Sequence, residues 1–308
     1  MNNNNALIDS HVHFFTEEDL TVLGSDLPYA LPDANPLVDY LATLESSGLK
    51  PVLLNNVHLS ILPDSANVFS SFDELAQLQI AHPGKYDHIR LVGTIKADPD
   101  YANEHRLGHP QVIGVRIVLH DAPPQSVAPD AYCTAPWTAL YERLAAHQHV
   151  HVYARSAETN LRVLRQIPPH VRVVIDHLGT CHVEKGAQDA AFLALLEAAR
   201  ERGNVWFKGP GYRTSADIAQ VAPFVTRILD ALGADKLLLQ ASDAPHVGAD
   251  QQGNAYSDLF DPVGAFDFVR RLAHAASEYR TATADDLLHG AASIVFPTNK
   301  PSGHQVKK

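Results

Sequence analysis

The stretch Ala6-Leu7-Ile8-Asp9-Ser10-His11-Val12-His13 decides how the rest of the chain is read. Three apolar residues lead into an acid and then two histidines one residue apart. Successive side chains of a strand point to opposite faces, so His11 and His13 share one. Two imidazoles aimed at one point suit a metal ion or a substrate oxygen. Taken alone, they equally suit two strand-end histidines bonded to neighbouring loops. Phe14-Phe15 follows, where a doubly wound nucleotide-binding sheet usually carries a glycine-rich phosphate loop.

Further apolar runs repeat the pattern downstream. Strands are expected at Pro51–Asn56, Ile89–Ile95, Val112–Leu119, His149–Tyr153, Val171–Asp176, Val205–Lys208 and Lys236–Gln240. Pro51–Asn56 shows no alternation, which predicts burial on both faces. Helical spacing marks Leu37 to Gly48, Ser71–Ala81, Pro136–Ala146, Ala157–Gln166, Ala190–Arg202, Ala216–Leu232, Val263–Ala276 and Ala284–Ala292. Pro28 and Pro32 break the segment Thr16–Pro36, which reads as a loop long enough to wall a site. Eight strands interleaved with helices predict a (β/α)8 TIM barrel, somewhat distorted, as one domain over 1–308. A doubly wound sheet is the runner-up. The polar tail 297–308 is expected to be flexible.

The formal net charge of -11 argues against nucleic acid or an anionic membrane as a main partner. It leaves room for a small anionic substrate, because local arginines can override the global field. Cys133 and Cys181 make no disulfide framework and no thiolate metal motif. The start, Met-Asn-Asn-Asn-Asn, lacks the features of a signal peptide, and no apolar run is long enough for a membrane span. A reduced, cytoplasmic setting is the expectation. A homo-oligomer is compatible with the sequence.

In a barrel of this kind, function gathers at the C-terminal ends of the strands. Those ends carry His11 and His13; Asn55, Asn56 and His58; Arg116 and His120; His151, Tyr153 and Arg155; Asp176 and His177; Lys208 to Arg213; and Ser242-Asp243-Ala244-Pro245-His246. His149 and Arg155 read more readily as structural or solvated groups, and His58 and His120 as loop caps. Asp243 reads as functional, since burying a carboxylate unpaired after an apolar strand costs several kcal/mol. His177 is placed similarly.

Together, His-x-His on the first strand, Ile175-Asp176-His177-Leu178-Gly179 and Ser242-Asp243-Ala244-Pro245-His246 resemble the amidohydrolase superfamily. The likeness runs from about Leu7 to Phe296. It is nearest to the branch of 2-pyrone-4,6-dicarboxylate lactonase and the sugar and muconolactone lactonases. The resemblance implies hydrolysis of a cyclic ester, with Asp243 as general base and His11, His13 and His177 around the reacting carbonyl. It implies Arg116, Tyr153, Arg213 and His246 as holders of an anionic lactone or carboxylate substrate. One divalent metal ion, zinc or manganese, on His11, His13, His177 and Asp243 is compatible with it. Tyr153 stands where metal-dependent members usually carry a histidine, and no second arginine follows Arg116. A metal-dependent decarboxylase of a carboxylated aromatic or muconate semialdehyde is the alternative.

Overall fold

The computed structural model describes residues 6–21, 33–59, 70–95, 98–119, 128–245, 262–279 and 282–296. Its strands are β1 (Ala6–Val12), β2 (Lys50–Val57), β3 (Ile89–Ile95), β4 (Val112–Leu119), β5 (His149–Ala154), β6 (Arg172–Ile175), β7 (Val205–Lys208) and β8 (Leu237–Leu238). They form one sheet in the order β1 to β8, and each pairs in parallel with its sequence neighbour. Parallel neighbours need a crossover, and helices supply most of them. These are α1 (Glu17–Thr21), α2 (Leu37–Ser46), α3 (Ser70–Ala81), α4 (Glu104–Leu107), α5 (Ala135–Arg143), α6 (Ala157–Leu164), α7 (Ala190–Arg202), α8 (Ile218–Leu232), α9 (Pro262–Ser277), α10 (Ala284–His289) and α11 (Ala292–Val295). The result is the expected (β/α)8 barrel.

The ring closes through irregular backbone. After β8, the Gln240 carbonyl accepts from Ser10 N–H, the Asp243 N–H donates to the His11 carbonyl, and the Ala244 carbonyl accepts from His13 N–H. Val12 and Ala244 form an isolated parallel bridge. The expected strand Lys236–Gln240 is therefore cut to two residues, because the chain turns there to bring Asp243 over β1.

Apolar residues fill two layers. The larger lies between strands and helices and includes Val115, Ile117, Val152, Leu195, Phe224 and Leu272. The smaller joins Leu53, Val57, Val92, Ile113, Val174, Trp206 and Leu238 to Ala292, Val295 and Phe296. Strand alternation places Val174 on the face of Asp176 and Trp206 on that of Lys208, so this cluster is the barrel's inner floor, plugged by α11.

Other boundaries shift for identifiable reasons. Thr16 and Asp19 bond each other's backbone N–H groups, a reciprocal cap that starts α1 inside the expected loop. The expected helix Ala284–Ala292 is two helices, parted at Gly290 and Ala291. Val52 is 51% exposed, so the first residues of β2 project beyond the core and only Leu53–Val57 are buried throughout. The rest of the Thr16–Pro36 wall (residues 22–32), His120, His246 and the tail 297–308 lie outside the described residues. Among the described residues, no helix is long and apolar enough to cross a membrane.

Candidate active site

A register irregularity between Asp9 and Val12 decides which side chains β1 turns inward. Strict alternation would put Asp9 on the face of His11 and His13. Instead Asp9 leaves that face. Its Oδ1 accepts from the N–H groups of His11 and Ser242, and its Oδ2 accepts from the hydroxyls of Tyr40 on α2 and Ser242. Burial raises its carboxyl to about 6. This buried carboxylate ties β1, α2 and the segment after β8 together, just behind the two histidines.

His11 and His13 stand edge to face, with ring centroids 4.7 Å apart. The side chains of β2 hold their backbone: Asn55 donates to the Ser10 carbonyl and Asn56 accepts from Phe14 N–H. Asn35 donates to the His13 carbonyl from the other side. His13 Nδ1 bonds the Val57 carbonyl, which fixes its ring and points Nε2 at Asp243 Oδ1, 3.2 Å away. His11 Nε2 lies 3.5 Å from the same oxygen. Asp243 adopts φ 55°, in the left-handed region that side chains rarely occupy. That turn delivers its carboxylate to the pair.

The other Asp243 oxygen is taken by Arg213, with Nε at 2.7 Å and Nη2 also in contact. Burial opposes ionisation of Asp243, yet the Arg213 guanidinium beside it holds its carboxyl well below the usual carboxylate range. Burial pushes His11 and His13 down, so both are neutral.

A second carboxylate organises the opposite side. Asp176, at the end of β6, has His11 Nδ1 at 3.2 Å, His151 Nε2 at 3.1 Å and Lys208 Nζ at 3.3 Å from Oδ1. Arg116 Nη2 is 2.7 Å from Oδ2 and His177 Nε2 is 3.8 Å from it. Burial works against its charge, and the cations Lys208 and Arg116 beside it still keep its carboxyl well below the usual carboxylate range. His177 stacks on His11 at 5.5 Å and meets the Tyr153 ring edge-on at 5.1 Å. Arg116 lies over the Tyr153 ring at 5.6 Å. Below, His151, His149 and Phe296 continue the column toward the floor.

Asp243, His11, His13, His177, Arg116, Tyr153 and Arg213 therefore meet in one cluster. Arg116 and Arg213 already hold protein carboxylates. The backbone of His58 is bound to β3, through Val92 and Thr94. The sequence by itself assigns no role to Asp176 or Lys208 and leaves His151 open between a site and a structural role. The signal was present: both are charged residues closing apolar strands, the same feature that singled out Asp243.

The four expected metal ligands do not form one set: among the described residues His11, His13 and Asp243 make one group, whereas His177 groups with His11 and with Asp176, which was not expected as a ligand. The first fits a divalent ion on chemical grounds. With Nδ1–H given to Val57, neutral His13 offers a lone pair at Nε2, and that lone pair faces the lone pairs of an ionised carboxylate. Both His11 nitrogens are buried without an aligned hydrogen bond. A cation among these three atoms relieves the mismatch.

The sequence model of the family named amidohydrolase matches residues 8–297. No curated protein matches the chain. Among solved structures, a probable 2-pyrone-4,6-dicarboxylic acid hydrolase from Acinetobacter baumannii, with citric acid bound, superposes at TM-score 0.70 and 17% identity, covering 94% of this chain and 98% of that one. A Pseudomonas putida protein provisionally assigned the same activity gives 0.66 and 25%, covering 95% and 97%. A zinc-bound amidohydrolase from Burkholderia multivorans gives 0.62 and 18%, covering 94% and 98%.

Proposed function

Because this chain belongs to the amidohydrolase family, we propose that it is a hydrolase opening a lactone of a small anionic metabolite. The observation that carries this reading is the Asp243 carboxylate, ionised and held at 3.2 Å from His13 Nε2. The provisional assignment of the Pseudomonas putida relative supports the lactone class.

Ester hydrolysis needs a base for water and donors for the charge growing on the carbonyl oxygen. In this reading Asp243 Oδ1 takes a proton from the attacking water and returns it to the leaving oxygen. His11, His13 and His177 surround the carbonyl; His11 and His177 donate an N–H toward its oxygen, while His13, whose Nδ1–H is held by Val57, faces Asp243 with its Nε2 lone pair. Arg213, and Arg116 through the N–H groups that Asp176 does not take, hold the substrate's anionic groups, beside Tyr153 and with His246 assigned to the same task. An incoming carboxylate competes with Asp243 for Arg213. As the guanidinium turns to the substrate, Asp243 regains basicity, which couples binding to base strength. A divalent ion, zinc or manganese, bound by His11, His13 and Asp243 would supply Lewis acidity toward the carbonyl.

The test is a screen of lactones beside carboxylated aromatics, followed by variants. Acid release from a lactone is the expected product, and CO2 release from an aromatic acid would mark the decarboxylase instead. Asp243→Asn should lower kcat by about 10²–10⁴-fold with KM little changed. Near-full turnover in that variant would remove Asp243 from the chemistry. Arg116→Met should chiefly raise KM for anionic substrates.

A further inference from the structure

His11 belongs to two candidate ligand groups, one built on Asp243 with His13 and the other on Asp176 with His177. By donor type the groups are equivalent, each with two imidazoles and one carboxylate. They differ in what already occupies the carboxylate. Asp243 has Arg213 on Oδ2, while Oδ1 is turned to the two histidines. Asp176 has a cation beside each oxygen: Arg116 Nη2 donates to Oδ2 at 2.7 Å, and Lys208 Nζ lies 3.3 Å from Oδ1 as an ion pair without an aligned hydrogen bond.

We propose that Lys208, together with Arg116, reserves the Asp176 carboxylate and so confines a divalent ion to His11, His13 and Asp243. Arg116 alone balances the charge of Asp176. Lys208 adds a second cation where taking an ammonium out of water is costly. Its other polar contact is long, 3.5 Å to the Ser10 carbonyl. A divalent ion on His11, Asp176 and His177 would share one carboxylate with two fixed positive groups and be repelled by both. The same arrangement orients His11, whose Nδ1 faces Asp176 while Nε2 faces Asp243. Lys208 thus acts as a positioning residue, choosing where an ion sits. The inference concerns ion placement and stands apart from which bond is hydrolysed.

The experiment is zinc binding to the metal-stripped full chain, measured by competition with a chromophoric chelator. In the wild-type background, His13→Ala should weaken zinc by more than the ~10–100-fold typical of losing an outer-sphere partner. His177→Ala should change it by less than that range. In a Lys208→Met background, His13→Ala should regain zinc affinity through Asp176, and adding His177→Ala should abolish the gain. Lys208→Arg, which keeps the charge, should behave as wild type, and Lys208→Gln replaces Lys208→Met if the latter does not fold. Equal dependence of the wild-type chain on His13 and His177 would overturn the proposal. So would failure of the Lys208→Met, His13→Ala chain to recover zinc. A wild-type chain that binds no zinc overturns it as well. Since the readout is affinity alone, failure of the lactone screen leaves it untouched.

Discussion

Asp9, Asp176 and Asp243 are each fully buried, yet their surroundings give them different jobs. Asp9 accepts bonds from two hydroxyls and two backbone N–H groups and meets no cation in its set. It is a fastener. Asp9→Ala should therefore destabilise the fold by about 3 kcal/mol, because buried donors lose their acceptor. Asp9→Asn keeps one acceptor oxygen and should cost less than half of that. Urea unfolding of both variants checks the order, and equal costs would mean that the acceptor role is unimportant. Asp176 and Asp243 are instead held ionised by arginine and turned toward histidine. From sequence, an acid closing an apolar strand announces that something pairs with it. The identity of the partner is invisible, since Lys208 and Asp176 are 32 positions apart. For that reason Asp243 was legible and the Asp176–Lys208 pair was not.

At the scale of elements, the apolar runs of β3 and β4 and the periodic run of α7 match their expected bounds end to end, because continuous burial on one or both faces writes a clear period. Elements stopped by tertiary contacts do not. β8 shrinks to two residues where the chain leaves its pairing to reach β1. Close approach of strands sets another constraint. A Cβ built on Gly114 would lie 2.2 Å from the His149 carbonyl oxygen on β5. The obstacle is backbone, so β4 and β5 would have to part. Gly114→Ala should cost at least the ~1–3 kcal/mol typical of overpacking. It should also perturb Arg116 and His151, which pair two residues further along the same ladder. Thermal melting tests the first effect, and a substrate KM for the variant tests the second. An alanine variant as stable as the parent would show that the strands can separate freely.

For the whole molecule, the buried imidazoles give acid sensitivity a definite sign. His11, His13, His149, His151 and His177 are all held below the usual range by burial, with His151 near 3 and His177 near 4. The unfolded chain takes up these protons first. Stability is therefore complete above about 6.5 and is lost as pH falls toward 4, by up to ~1.4 kcal/mol per pH unit for each group. Asp9 runs the other way: its native carboxyl takes a proton near 6, ahead of the unfolded chain. Five groups against one give a net loss. Tm measured from pH 8 to 4.5 should hold above 6.5 and drop below it. A flat or rising Tm on acidification would contradict the neutral assignment of the cluster. The chain by itself determined the barrel and the roster of strand-end groups, because period and composition are local properties written in consecutive residues. Only the tertiary structure decided that Asp9 faces away from His11, that Arg213 holds Asp243, and that Lys208 reaches Asp176. Those choices depend on a register shift in β1 and on the closure of β8 against it, where residues more than 200 positions apart share hydrogen bonds, and no local pattern encodes such distances.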